Sequence, residues 1–272
     1  MNQKQEWQLS GSEAALYELY KVPRIFRPSA ELLLERVPPR PGQRVLDVAC
    51  GTGIVARLAV PRVGPAGKLT GLDLNVGMIA MARANTPAGV APIEWKQGDA
   101  EVLPFEDGSF DRVYCQQGLQ FFPDKPRALR EMHRVLASGG TAAVSVWRPA
   151  NPGSPYNAAL AEALEKHADA TAAKISLVPF TLGDPSVLGK LANDAGFETI
   201  EIETATFTRY VEPTQEWLLQ DTAGLPYSTA VASMDSVTLA AMIREIASKL
   251  KPYWNANIFA IPMETHIVIA QK

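Results

Sequence analysis

The residues in this chain best placed to do chemistry are acidic side chains that follow short apolar runs. In VLDVACGTG, residues 45–53, an apolar run delivers Asp47 and then breaks at Gly51, Thr52 and Gly53. The two glycines let the main chain approach a ligand closely and take conformations that a Cβ forbids. Equivalent positions recur downstream: Asp73 ends GLDLN, Asp99 opens GDAEVLPF, and Gln116-Gln117 follow FDRVYC. If each run is a strand of one parallel sheet, all four places fall on its carboxyl edge, where open sheets bind ligands.

Two ligand classes compete for that edge. Gly51-x-Gly53-x-x-Ala56, with Asp73 about 20 residues on, satisfies the dinucleotide pattern. Charge separates the readings. A pyrophosphate favours a helix N-terminus because amides and dipole attract an anion, and Asp47 and Asp99 around the same pocket would repel it. They suit a ligand with an ammonium, a ribose and an adenine but no phosphate. A nicotinamide-dependent oxidoreductase stays as the alternative. No Lys-Ser/Thr pair follows the glycines, which excludes a P-loop.

The elements that must hold these residues are legible in the periodicity. Short apolar runs at residues 44–49, 68–74, 93–97, 110–115 and 142–147 read as strands 1 to 5, with helical segments at 54–63, 77–86 and 125–136. That alternation gives crossover connections and a parallel sheet covered on both faces. Ahead of it, residues 12–37 read as helix, with Leu16, Leu19 and Tyr20 on one apolar face. Behind it come helices at 156–173 and 184–195, a strand at 200–210, further helix through 212–252 and a last strand within 258–271. The two late strands can pair antiparallel at the sheet edge.

The 272 residues carry 26 Lys+Arg against 29 Asp+Glu, a net charge of −3. A hydrophobic share of 47% fits a folded globular chain, and the charge gives no support to a nucleic-acid partner. No run approaches a membrane span, and the first twenty residues lack an apolar leader core. Cytoplasmic location is therefore expected. Cys50 and Cys115 match no metal-ligand spacing and read as small core residues.

Taken together, VLDVACGTG, GLDLN, GDAEVLPFEDGSFD and the stretch from LQFFPD to REMHRVLASGG resemble class I S-adenosylmethionine-dependent methyltransferases, close to the ubiquinone/menaquinone-biosynthesis branch. The resemblance implies an α/β, three-layer Rossmann-like sandwich. Its seven-stranded, mostly parallel sheet would run 3-2-1-4-5-7-6, with strand 7 antiparallel and helical lid additions at both ends of the chain. The chain is expected to divide into an N-terminal cap at 1–40, a cofactor-binding core at 41–150, a helical lid at 151–183, and the rest of the core at 184–272 with a helical insertion at about 212–252; the segments 148–181 and 212–252 match no motif of the resemblance.

The resemblance also assigns residues. Asp47, Ala49, Gly51 and Gly53 would surround the methionine part of S-adenosylmethionine, with Thr52 in the same turn. Asp73 would accept both ribose hydroxyls, Leu74 would pack on the adenine, and Met78 is counted with them. Asp99 and Ala100 would read the adenine edge, and Gln116 and Gln117 would sit beside the sulfonium. Independently of the resemblance, aromatic faces favour a cation and exclude water, so Tyr17 or Tyr20 is expected near the cofactor, within an apolar lining drawn from Tyr17, Tyr20, Phe26, Tyr156, Trp217, Tyr227 and Trp254. The implied activity is methyl transfer to a small or medium, partly apolar organic acceptor, by a monomer or homodimer, releasing S-adenosylhomocysteine. A protein that binds the cofactor without transferring methyl is a further alternative. No metal and no general base are assigned, and His133, His167 and His266 read as structural.

Overall fold

A computed structural model describes residues 11–89 and 92–272. The first ten residues, on which the expectation of no leader partly rests, lie outside the described residues. One sheet organises the rest. Its strands are β1 (Arg44–Val48), β2 (Lys68–Asp73), β3 (Ile93–Gln97), β4 (Phe110–Gln116), β5 (Leu136–Trp147), β6 (Thr199–Val211), β7 (Trp254–Asn255) and β8 (Ile258–Gln271). The order is β3-β2-β1-β4-β5-β8-β6, with β7 paired to β8. β1 to β5 are parallel, and β8 runs antiparallel between β5 and β6. This is the expected order; the expected strand 7 is β8, because the two-residue β7 precedes it.

The apolar character of the central strands follows from burial on both faces. Successive side chains alternate across a strand. Leu46, Val48, Val113, Cys115 and Val144 therefore enter one core with Met132 and Leu136. Val45, Tyr114 and Ala143 enter the other with Val55, Ala59 and Leu33. Cys50 and Cys115 are buried and unbridged. The strand order reverses between β1 and β4, so a crevice opens at their carboxyl ends.

A third apolar cluster lies beyond the sheet. The ends of β6 and β8 outrun β5, whose pairing with β8 stops at Trp147↔Thr265, while β6 and β8 stay paired to Val211↔Phe259. On this arm Val211, Phe259 and Ile261 pack with Tyr156 and Leu160 of the helix Pro155–His167. Trp217 of Gln215–Thr222 and Met242 and Ile246 of Ser236–Leu250 complete the cluster. The two late helical stretches thus share one core.

The N-terminal helix departs from its expected form. Residues Tyr17–Phe26 are π-helical, and the Arg27 amide donates to the Val22 carbonyl five residues back. The wider turn accommodates Pro23, which has no N–H to give. It also re-aims the side chains: positions four and eight on from Tyr17, Lys21 and Ile25, stay on its face, whereas Leu19 is turned out to 61% exposure. The expected apolar face through Leu19 and Tyr20 is corrected accordingly.

Candidate functional site

Past β1 the chain turns sharply on residues with left-handed backbone: Ala49 at φ 55° and Gly51 at φ 55°. Ala49 pays a local strain of order 1 kcal/mol for this, as does Gln117 at φ 53° after β4. The two loops touch, since a Cβ on Gly118 would stand 2.7 Å from the Ala49 Cβ. Gly53, at φ 89°, begins the helix Ile54–Val63. Its missing Cβ makes room for an indole: a Cβ there would lie 2.3 Å from Trp95 Cη2.

Above the turn lies a cavity of about 270 Å³. Its first end is acidic. Asp73 reaches it from β2, with Oδ2 accepting from the Gly51 amide and Oδ1 from the Asn75 amide, both at 2.8 Å. Burial raises its carboxyl pKa, and the two amides hold the rise back. Asp99 lines the same end, its Oδ1 accepting from the Glu101 amide at 2.9 Å, and Glu101 lines it too. Leu74, Met78 and Ala100 complete the wall.

The middle is aromatic. Tyr17 and Phe26 stack with centroids 4.9 Å apart, and Phe26 continues to Trp147 at 6.3 Å. A Cβ on Gly51 would face the Tyr17 hydroxyl at 3.9 Å, so the phenol hangs over the glycine turn. Burial first, then Asp73, raises the Tyr17 pKa further and keeps it a neutral phenol. Gln116 Nε2 donates to the Phe26 carbonyl at 2.8 Å, and Gln117 Nε2 to Thr265 Oγ1 at 2.9 Å.

The far end belongs to the lid and is cationic. Lys21 and Arg209 both line it, and both pair with Asp221, at 3.1 and 2.5 Å. Tyr156 donates to the second Asp221 oxygen at 2.9 Å. Burial alone would raise the Asp221 pKa, but the two cations and the Tyr156 hydroxyl stabilise its carboxylate and hold the pKa down to about 2.

Residues 46–144 match the family model of a methyltransferase domain. That segment is therefore similar to a methyltransferase domain. Among curated proteins, it is 40% identical over 116 residues to the 2-phytyl-1,4-naphtoquinone methyltransferase of Synechococcus elongatus, covering 42% of this chain and 50% of that one. It is 49% identical over 107 residues to the ubiquinone/menaquinone biosynthesis C-methyltransferase of Xanthomonas campestris, covering 39% and 42%. The chain thus spans about half the length of the curated relatives it matches. Among solved structures, a phosphoethanolamine N-methyltransferase from Haemonchus contortus, in complex with S-adenosyl-L-methionine, superposes with TM-score 0.61 at 21% identity. That match covers 96% of this chain and 57% of that one. The YcgJ protein of Bacillus subtilis superposes with TM-score 0.58 at 19% identity, covering 90% and 98%. At such identities the likeness is one of fold, a three-layer Rossmann-like sandwich.

Within residues 46–144, the cavity gathers Ala49, Gly51, Asp73, Leu74, Met78, Asp99, Ala100, Gln116 and Gln117 from the residues singled out in the sequence. Asp47, Thr52, Gly53 and Tyr20 are outside its lining. Asp47, 1% exposed, lies beneath the turn, where one oxygen accepts from the Ala56 amide at 3.1 Å and the other has no partner. Burial pushes its pKa up to about 8. Thr52 is buried, and Gly53 faces Trp95. Tyr20 is carried away from Tyr17 by the π-helix and sits under the Arg24 guanidinium, 5.4 Å from its ring centre.

Of the expected aromatic lining, Tyr17, Phe26 and Tyr227 reach the cavity. Tyr156 and Trp217 pack edge to face in the lid core, and Trp254 is half exposed against Phe259. None of the three histidines lines the cavity. His133 packs on Phe197, His167 meets Glu245, and His266 lies between Thr204 and Gly183. Sequence reasoning missed Glu101, Lys21 and Arg209. A charged residue in a turn, helix or edge strand reads as solvated by default; packing around Asp221 brings Lys21 and Arg209 inside, and Glu101 is held by the Asp124 amide.

Proposed function

We propose that this chain is an S-adenosylmethionine-dependent methyltransferase acting on a small or medium, partly apolar organic acceptor. The observation that carries the reading is the juxtaposition of the Gly51 turn with Asp73 and Asp99 at one end of a cavity whose middle is aromatic. The residues fit the cofactor. Gly51 keeps the floor open, and Asp73 is fixed by two amides at its strand end. Asp73 would hold the ribose hydroxyls, Leu74, Met78, Asp99 and Ala100 the adenine, and Ala49, Gly51, Gln116 and Gln117 the methionine end. On this reading residues 41–150 hold the cofactor, and 1–40, 151–183 and 212–252 shape the acceptor side.

Bound there, the cofactor supplies a methyl group already activated by its sulfonium. The protein's work is then alignment and exclusion of water. Tyr17 and Phe26 cover the cleft and present ring faces, which favour a neighbouring cation. The left-handed Ala49 and Gln117 fix the two loops against each other at the strand ends. Three carboxylates at this end, Asp73, Asp99 and Glu101, argue against a dinucleotide, while Asp47 lies outside the lining. The buried Asp47 is largely uncharged at neutral pH, given a pKa of about 8.

Incubation with methyl-labelled S-adenosylmethionine and a panel of phenols, quinols and aromatic carboxylates tests the proposal. Acceptor-dependent release of S-adenosylhomocysteine is expected. Binding of S-adenosylhomocysteine without turnover on any acceptor would favour a cofactor-binding role, and a thermal shift with NAD alone would favour the oxidoreductase.

A further inference from the structure

We propose that the acceptor is a monoanion whose charged oxygen group, a carboxylate or an ionised hydroxyl on an apolar body, is received by Lys21 and Arg209. The inference rests on the methyl-transfer reading and narrows its substrate.

Lys21 comes from the π-helix and Arg209 from the β6 arm, yet both line the far end of the cavity. They are 5% and 1% exposed. Both pair with the one carboxylate Asp221, so two buried cations meet one buried anion and leave a formal +1. A purely structural ion cluster needs only one cation to neutralise Asp221, and a surplus buried charge is costly unless something matches it. Arg24, bonded to the neutral Gln220 amide, adds to the excess from behind.

Further observations point the same way. Arg209 Nε is buried with no hydrogen-bond partner, although the group's other nitrogens reach Asp221 and Asn157. The guanidinium is held flat by Tyr156, 4.3 Å from its ring centre, and by Trp217 at 5.5 Å. Burial drags the Lys21 pKa down to about 8 in spite of Asp221. An anion at this end would relieve both. Trp147, Phe180, Tyr227 and Met263 wall the space between and suit an apolar body. The acidic and cationic ends would thus orient the acceptor, its charged group away from Asp73 and Asp99.

The test uses the full chain with S-adenosylhomocysteine and matched probes: benzoate against benzamide, and 4-nitrophenolate against 4-nitroanisole at pH 8, with phenyl phosphate as the dianion. Calorimetry should show at least one anion of the two pairs binding ten-fold or more tightly than its neutral partner, and phenyl phosphate no better. In Lys21→Met, which leaves Arg209 and Asp221 balanced, that preference should vanish while S-adenosylhomocysteine affinity persists. Lys21→Arg should restore it. Equal binding within both pairs, tighter phenyl phosphate, an unchanged preference in Lys21→Met, or loss of S-adenosylhomocysteine affinity there would each overturn the proposal. Failure of the unmodified chain to bind S-adenosylhomocysteine would instead sink the methyl-transfer reading, since the probe pairs can also be titrated without it.

Discussion

Asp47 and Asp73 leave neighbouring strands, and burial raises both carboxyl pKa values. Their jobs differ nonetheless, because only Asp73 faces the cavity. Asp73→Ala should weaken S-adenosylhomocysteine binding by about 1.5–3 kcal/mol, the scale of hydrogen bonds to a charged group. Calorimetry checks this, and an unchanged affinity would put the ribose elsewhere. Asp47 gives a stability signature instead. Its folded pKa of about 8 lies above the unfolded 3.8, so its contribution is full below pH 4 and is lost as pH rises toward 8. At about 1.4 kcal/mol per pKa unit the swing is a few kcal/mol. Asp47→Asn cannot titrate, so its melting temperature should gain on the unmodified chain between pH 4 and 8. A constant difference would contradict the assignment. Both aspartates were legible as residues of the strand edge. Which of them faces the cavity was not, because Asp47 is drawn beneath the turn by the Ala56 amide, a contact that spacing along the chain does not report.

Elements carry the next layer. Strands β1 to β4 and the expected antiparallel pair were readable because each central strand is apolar on both faces and bounded by turn residues. The π-helix was not. Nothing in the spacing of Leu16, Leu19 and Tyr20 announces a wider turn, and Pro23 alone reads as a break rather than as a helix that widens to keep going. The glycine turn was read for ligand approach and for backbone conformation, yet Gly53 also serves the packing of β3 on the turn through Trp95, whose Nε1 donates to Thr86 Oγ1 at 2.9 Å. Gly53→Ala should therefore cost about 1–3 kcal/mol of stability from strain at positive φ and overpacking. Combined with Trp95→Phe, the loss should be at least about 0.5 kcal/mol smaller than additive. Chemical denaturation of the double-mutant cycle measures this. Strict additivity would show that the indole is not the obstacle.

At the scale of the whole molecule, the ion cluster ties together segments far apart in sequence. Asp221 joins the N-terminal helix through Lys21, the lid through Tyr156 and the sheet arm through Arg209. Asp221→Asn would leave two buried cations unmatched and should destabilise the chain by about 3–5 kcal/mol in urea unfolding. A loss under 1 kcal/mol would mean that water reaches the cluster. Because the pKa of Asp221 is held near 2, below its unfolded 3.8, this stabilisation is present above pH 4 and lost as pH falls through 2. The two late helical stretches looked like separate additions because helical periodicity reports an apolar face but not its partner. Their partner is the far half of β6 and β8, whose near half pairs in the main sheet.

The claim on which all scales converge is that the acidic end of this cavity holds a nucleoside without phosphates. A crystal structure of the chain grown with S-adenosylhomocysteine tests it most directly. The account predicts the ribose against Asp73, the adenine between Leu74, Met78 and Asp99, and the amino-acid end over Ala49 and Gly51. Density for the nucleoside anywhere else, or none there at saturating ligand, would contradict it.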